Sequence, residues 1–318
     1  MMDLEQETVF DVAVIGGGAA GLNGALMLAR ARRSVVVFDA GEPRNAPASG
    51  VHGLLGREGI PPGDLLTRGR AEVQHYGGEI VTATVARIAR DGDGFTISLS
   101  DGRSVRARRV LVTTGLTDEL PDIAGIGERW GRDVIHCPYC HGWEVRDQAI
   151  GILATGPMSM HQTLLFRQLS DDIVYFLNGT ELTDQESEQL AALGVSTVPE
   201  RVRALEIADD AIVGIRLDEG TVIKRQAVVV ATRMVARASF LESLGLRSEA
   251  HPSGMGEYIP VDPTGRTEVQ GVWAAGNVTD LSAQVGAAAA AGAAAGAQIN
   301  ADLVQEEVQK AVAKHRSR

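Results

Sequence analysis

The two cysteines of this chain, Cys137 and Cys140, are separated by Pro138 and Tyr139 and followed at once by His141. Thiols at this spacing reach each other across one turn, so the pair can pass between dithiol and disulfide. The same pair could instead pack as a buried structural couple or supply half of a metal site, although no second cysteine pair exists to complete one. Redox exchange is therefore the leading reading in a reducing compartment. The apolar run 133–135 predicts a strand ahead of the pair, and Pro138 suits an early helical position, where its missing N–H costs nothing. Such a junction sets both sulfurs beside orphan N–H groups and the helix dipole, which favour the thiolate that carries out disulfide exchange.

An imidazole of ordinary pKa, about 6.5, can take the proton of a thiol of about 8.5 near neutrality. That makes His141 the candidate base, and a solvent-exposed residue at a helix terminus is the competing reading. His136 adjoins Cys137 without needing to point toward it, and His52 lies in a distant loop; both are secondary candidates. Tyr139 and Trp143 could line a pocket, but as large aromatics they are read first as core.

The elements that must position these groups follow from hydrophobic periodicity. Residues 8–39 read as a buried strand, a glycine turn, a helix with Leu22, Leu26 and Ala29 on one face, and a second apolar strand ending at Asp39. The turn Gly16-Gly17-Gly18-Ala19-Ala20-Gly21 fits G-x-G-x-x-G: the first glycine permits the turn, the second lets backbone approach a pyrophosphate, and the third allows close helix–strand packing. Asp39 stands where a carboxylate accepts from ribose hydroxyls. A Gly/Pro-rich loop over 41–63, with Arg44, Asn45 and His52, is expected beside the cofactor. A helix over 64–76 leads to strands at 80–88, 94–100 and 104–112, the last running into Thr113-Thr114-Gly115. A second strand-to-turn segment, 271–277, precedes an Ala/Gly-rich helix.

Residues 1–117 and 243–318 thus read as two parts of one dinucleotide-binding domain, flanking a middle domain, 118–242, that carries the cysteines. The middle domain has its own strand, helix and strand at 149–153, 159–169 and 173–177. Its turn, Ala154-Thr155-Gly156-Pro157-Met158-Ser159, keeps only the central glycine of the motif. The second strand ends in Leu177-Asn178-Gly179, with neither an acid for a ribose diol nor an arginine cluster for a 2′-phosphate, so a nicotinamide nucleotide would find little to hold it.

Composition agrees with two domains: 318 residues correspond to roughly two units of about 150. Thirty Lys and Arg against 41 Asp and Glu leave a net charge of −11, which argues against nucleic acid and anionic membrane as partners. The N-terminus carries Asp3, Glu5 and Glu7 where a secretory signal would need basic residues, so a cytoplasmic protein is expected. The charge-free stretch 281–301 is long enough to span a bilayer, but its alanines and glycines add little transfer energy, and a soluble, closely packed helix is expected instead.

A flavin-type fingerprint, a CxxC in a middle dinucleotide-like domain and a returning segment before a C-terminal helix resemble the low-molecular-weight thioredoxin reductases across almost the whole chain. Within that family, residues 137–142, CPYCHG, are similar to the dithiol oxidases that close disulfides in gliotoxin, holomycin and romidepsin biosynthesis. Typical reductases have an acid where this chain has His141, an intact middle glycine motif and a basic run for NADPH. The resemblance implies an α/β fold of two Rossmann-like three-layer domains, a homodimer, and FAD as cofactor. It places Gly16, Gly18, Ala19, Ala20 and Gly21 at the FAD pyrophosphate, Asp39 at the adenosine ribose and Thr114-Gly115 on the adenosine side. Gly276-Asn277, a Gly-Asp pair in the reductases, would lie near the ribityl chain, and Gln284-Val285 near the flavin pyrimidine. It further implies that a substrate thiolate attacks Cys137, that Cys140 leaves and faces the flavin, that His141 is the base, and that O2 is reduced to H2O2 without nicotinamide. NADPH-dependent reduction of thioredoxin or a small disulfide, and a non-enzymatic flavin redox sensor, are the alternative functions.

Overall fold

A computed structural model describes residues 9–156 and 158–318; the acidic residues Asp3, Glu5 and Glu7, Thr8 at the head of the first expected strand, and Pro157 of the middle turn lie outside the described residues. The chain divides into two units, one of residues 1–46, 62–117 and 234–318, the other of 47–61 and 118–233.

In the first unit the strands Glu79–Thr82, Val35–Asp39 and Val9–Ile15 run parallel and continue into the long strand Ser104–Val112. The far edge of that strand is shared. Its first half pairs antiparallel with Gly94–Leu99, and its end pairs parallel with Val272–Ala274, in the register Val272↔Val110 to Ala274↔Val112. Alternate residues of the central strands face opposite layers. Val12, Val14, Val35 and Val37 pack under Leu22, Leu28, Leu66, Ile299 and Leu303 of the helices. Ala13, Ile15, Val36 and Phe38 pack with Ile88, Phe95 and Ile97 of an antiparallel meander.

The second unit repeats the plan. Its parallel sheet has the order Ser196–Val198, Ile173–Phe176, Ile150–Leu153, Ala227–Val230, Val134–Ile135. Ile150, Ile152, Ile173 and Tyr175 meet Met160, Phe166 and Leu190 of the helices on one face. Leu153, Val174, Phe176, Val228 and Val230 meet the meander Val202–Ala208 and Ala211–Leu217 on the other. Each unit is a three-layer, Rossmann-like α/β domain, as the sequence implies. Buried Arg129 joins Asp133 to Asp210 of the meander, both at 2.7 Å, and so anchors the strand that leads to the cysteines.

Two boundaries differ from expectation. Residues 234–242, expected in the middle segment, join the first unit because Met234, Ala236, Ala238 and Leu241 belong to its core and Ser243 Oγ donates to the Ile88 carbonyl at 2.5 Å. Residues 47–61, expected within the first segment, group with the second unit.

The C-terminal helix runs over Val285–Arg316, later in starting and much longer than the charge-free stretch. Its charged half is held by ion pairs: Glu307 with Arg33 at 2.5 Å and Arg108 at 2.9 Å, and Arg109 with Asp302 at 2.7 Å and Glu306 at 2.6 Å. Its Ala/Gly half lies directly on the helix Ala19–Arg30. A Cβ on Gly292 would stand 1.9 Å from the Ala20 carbonyl oxygen, and one on Gly296 would stand 2.7 Å from that of Gly24. Among the described residues no helix is long and apolar enough to cross a membrane.

Because that conflict is backbone against backbone, Gly292→Ala should force the helices apart and cost about 1–3 kcal/mol, read as a lowered midpoint of thermal unfolding. Gly63→Ala, where a Cβ would have nothing within 4 Å, should leave the midpoint unchanged or slightly raised.

Candidate active site

In the first unit the strand Val9–Ile15 delivers the chain to Gly16, whose φ of +109° and approach to Thr113, 2.5 Å from the carbonyl oxygen to an added Cβ, admit only glycine. Thr113 Oγ1 donates to the carbonyls of Ile15 (3.0 Å) and Gly16 (2.9 Å), tying the turn to the strand beside it. Gly21 sits so close that a Cβ would be 1.9 Å from the Gly16 oxygen. Gly18 is the N-cap of Ala19–Arg30; no side chain caps it, no acid occupies the first turn, and nothing lies within 4 Å of where its Cβ would be. An uncapped helix start beside the open side of Gly18 suits a pyrophosphate.

Asp39 is brought against this turn. Its Oδ1 accepts from the Gly41 N–H at 3.0 Å and its Oδ2 from Arg70 Nη2 at 2.7 Å. A Cβ on Gly17 would be 2.5 Å from Oδ2. Arg70 escapes sequence reading because it comes from the otherwise polar helix Pro62–His75. Arg44 and Asn45 are half-buried in the turn after Asp39. Thr114 Oγ1 donates to the Arg237 carbonyl at 2.6 Å, and Gly115 has φ +69°. Gly276 reaches the same helix start, where an added Cβ would be 2.8 Å from Ala20 Cβ. Asn277 Nδ2 donates to the carbonyls of Asp280 (3.1 Å) and Ala283 (2.8 Å), a task that an aspartate could not perform. Gln284 then caps the helix Val285–Arg316 through extended backbone, with no side-chain bond.

In the second unit Cys137 and Cys140 form a disulfide, with Cα atoms 5.3 Å apart. Both are half-buried. The helix they open is a single turn, Pro138–His141, so the expected dipole reduces to one contact: the Cys140 N–H donates to Cys137 Sγ at 3.2 Å. Gly142 packs tightly under the turn, with an added Cβ 2.3 Å from Leu169 Cδ1. Gln162, 8% exposed, donates through Nε2 to the His136 carbonyl at 2.7 Å, and its Oε1 is buried without a partner. The His136 ring stacks on Trp130, centroids 5.5 Å apart.

His141 is not the exposed residue of the competing reading. Both ring nitrogens are buried without a hydrogen-bond partner. Burial lowers its pKa below 6.5; the Glu144 charge opposes that shift and His52 adds to it. Tyr139 and Trp143, read as core, are each 66% exposed, because the turn packs through Gly142 and sends its aromatics outward. The Arg146 guanidinium lies 4.2 Å from the Trp143 ring centre. His52 is fixed in this unit by the bridge Val51↔Ile60; its Nδ1 is 2.6 Å from Glu58 Oε1 and its Nε2 is 3.5 Å from Glu144 Oε1. Glu144 and Glu58 were not singled out from sequence, although Glu144 lies one turn beyond His141.

The middle turn is filled by its own side chains. The Thr155 N–H donates to Ser159 Oγ at 3.0 Å, and Thr155 Oγ1 to the Ala231 carbonyl at 2.6 Å. Asn178 Oδ1 accepts from the Val202 N–H at 3.0 Å.

Residues 10–296 match the pyridine nucleotide-disulphide oxidoreductase family. The chain is 31% identical to thioredoxin reductase tcpT of Claviceps purpurea, over 86% of this chain and 88% of that one. It is 30% identical to thioredoxin reductase sirT of Leptosphaeria maculans, over 85% and 87%. Among solved structures, HlmI superposes with a TM-score of 0.93 at 46% identity over 99% of both chains. An oxidoreductase from Agrobacterium tumefaciens gives 0.87 at 36% identity, over 93% of this chain and 99% of that one.

The clash between an added methyl at Gly17 and the Asp39 carboxylate gives a direct test of the cradle. Gly17→Ala should displace Asp39 and weaken flavin-nucleotide binding about tenfold, measured by titrating flavin nucleotide into apoprotein and following its fluorescence. Unchanged affinity would separate Asp39 from the cofactor.

Proposed function

The chain belongs to the pyridine nucleotide-disulphide oxidoreductase family, among its thioredoxin reductase-like members, and from that premise we propose that it oxidises the two thiols of a small molecule to an intramolecular disulfide. FAD is the cofactor and O2 the final acceptor. The observation that carries this reading is the half-buried His141 imidazole, which directly follows the disulfide, has both ring nitrogens buried and unpartnered, and is biased toward its neutral form. A neutral imidazole is a base with a free lone pair.

A substrate thiol that gives its proton to His141 attacks Cys137 Sγ. The substrate–Cys137 bond forms, the Cys137–Cys140 bond breaks, and its electron pair leaves on Cys140 Sγ. The second substrate thiol gives its proton to solvent and, as thiolate, attacks the substrate sulfur of the mixed disulfide, closing the product and releasing Cys137 as a thiolate, which the Cys140 N–H is placed to stabilise. The glycine turn fits FAD: Gly16, Gly18, Ala19, Ala20 and Gly21 would hold the pyrophosphate and Asp39 the ribose. Arg44, Asn45, Thr114, Gly115, Gly276, Asn277, Gln284 and Val285 would complete the site. FAD, when bound, supplies the two-electron carrier between reduced cysteines and O2, so that one dithiol and one O2 yield one disulfide and one H2O2. A homodimer in the cytoplasm, without nucleic-acid or membrane partners, is part of the same proposal.

A second reading, NADPH-dependent reduction of thioredoxin or a small disulfide, has the names of the curated relatives behind it. Against it stands the middle turn, whose Thr155 N–H is already engaged by Ser159. Anaerobic mixing separates the two. The oxidase keeps an oxidised flavin with NADPH and bleaches with a dithiol, whereas rapid bleaching by NADPH would establish the reductase. Sustained turnover with H2O2 release would also dispose of a non-enzymatic sensor.

The base has a pH signature. Since burial keeps His141 neutral below its ordinary range, wild-type activity should persist to pH below about 6.5 and fall only as the imidazole is protonated. His141→Ala should cost about 10²–10⁴ in rate near neutrality, a loss that shrinks as pH rises toward the thiol pKa of about 8.5. Equal rates of both proteins across pH 6–9 would remove the base.

A further inference from the structure

The helix Met158–Phe166 packs into the core of the second unit through Met160 and Phe166, yet it also buries Gln162, which the mechanism above does not use. A buried amide costs free energy unless it is paired. Only one end of this one is: Nε2 donates to the His136 carbonyl at 2.7 Å, and Oε1 is buried without a partner. Ser159 and Thr163, fully buried on the same helix, bond close to home. Thr163 Oγ1 donates to the Ser159 carbonyl at 2.8 Å, and Ser159 Oγ accepts from the Thr155 N–H at 3.0 Å. Of the three, Gln162 reaches the segment that enters the cysteine turn.

The carbonyl it holds belongs to the peptide whose nitrogen is that of Cys137. Cys137 is the N-cap of Pro138–His141, with φ −103° and ψ 118°, and in that conformation its Sγ accepts from the Cys140 N–H at 3.2 Å. The ψ side is fixed from within the turn, where the His141 N–H donates to the Cys137 carbonyl at 3.2 Å. The φ side is the rotation between Cys137 and the peptide before it, so pinning that peptide sets where Sγ points. Beyond the turn, the Asp147 N–H donates to the Leu169 carbonyl at 2.9 Å, just past the end of the same helix. While the disulfide is closed, its covalent bond restrains the turn and the Gln162 bond is redundant. Once it opens, that bond is what keeps Cys137 a cap.

We propose that Gln162 is a positioning residue for the redox pair: through the His136 carbonyl it holds Cys137 in its capping conformation after the disulfide opens, so that the Cys137 thiolate stays on the Cys140 N–H. The bond then stabilises the reduced turn more than the oxidised one, and the disulfide is a stronger oxidant with it than without. The release of Cys137 by a substrate thiolate rests on the function proposed above; the hold of Gln162 on Cys137 does not.

The test is the equilibrium of the cysteine pair with reduced and oxidised dithiothreitol in the anaerobic holoenzyme, trapped with iodoacetamide and read by mass; the chain has no other cysteine. Gln162→Met keeps the length of the side chain, lacks the donor and also removes the unpartnered oxygen, so the thermal midpoint of the oxidised protein should stay near wild type. The equilibrium should move about tenfold toward the disulfide, a potential about 30 mV more negative. The kcat of dithiol oxidation should fall by a similar factor with KM little changed, because Cys137 leaves less readily. Thr163→Val, which removes a buried bond that stays within the helix, is the control and should leave the equilibrium in place. Gln162→Met with a wild-type equilibrium, or Thr163→Val displaced as far, reduces Gln162 to packing and overturns the proposal. A second measurement needs no variant: in the wild-type holoenzyme the Cys140 N–H should exchange with deuterium as slowly after reduction as before, and loss of that protection overturns the proposal equally. A displaced equilibrium in a protein that oxidises no dithiol would instead overturn the function proposed above and leave the hold on Cys137 standing.

Discussion

The missing Cβ of Gly21 is what lets the helix Ala19–Arg30 start against the Gly16 carbonyl, and much of the first unit follows from that contact. With the helix seated so low on its strand, Thr113 can bind the turn from the neighbouring strand, and Gly276 and Gly292 can reach Ala20 from the C-terminal segment. Segments far apart in the chain converge because none carries a side chain at the point of approach. Glycine costs conformational entropy when ordered, so these positions are maintained against a local penalty. The compensation is tertiary, in the buried Leu22, Leu28, Ile299 and Leu303 over a sheet of valines.

In the second unit the governing constraint is desolvation. An imidazole with both nitrogens buried and unpartnered is costly to leave in that state, and nothing in the packing of Leu169 against the turn needs a polar ring. The cost is intelligible if the ring must stay neutral until a substrate thiol arrives. Gln162 shows the same economy of partners, with one end holding the backbone that enters the cysteine turn and the other buried without a partner.

The parts legible in sequence were those governed by neighbours in the chain. The glycine motif, the alternating βαβ units and the CxxC with its proline all act over a few residues, and spacing alone carries them. Arg70 on Asp39, and the Glu58–His52–Glu144 chain, depend on where distant segments come to rest, and no periodicity announces that. Loop 47–61 departs from expectation for the same reason: a glycine-rich segment without periodicity does not reveal which unit its buried Val51 and Ile60 will join. Aromatic character alone predicts burial for Tyr139 and Trp143, whereas a single helical turn packing through Gly142 has only one face to bury.

In the middle βαβ, the packing of the strands and the chemistry of the turn are set by different residues. Its strands are buried on both faces, Ile150 and Ile152 toward the helices, Leu153 toward the meander, and that packing is indifferent to any ligand. What a nucleotide requires is narrower: free N–H groups at the turn and a polar group at the end of the next strand. Here the turn N–H of Thr155 is bound by Ser159, which is fully buried, and Asn178 is spent on the Val202 backbone. Each replacement satisfies a backbone group that a phosphate or ribose would otherwise compete for, so the unit holds its shape with its own side chains. The same packing that shapes the unit also carries the cysteine turn and the half-buried His141 ring.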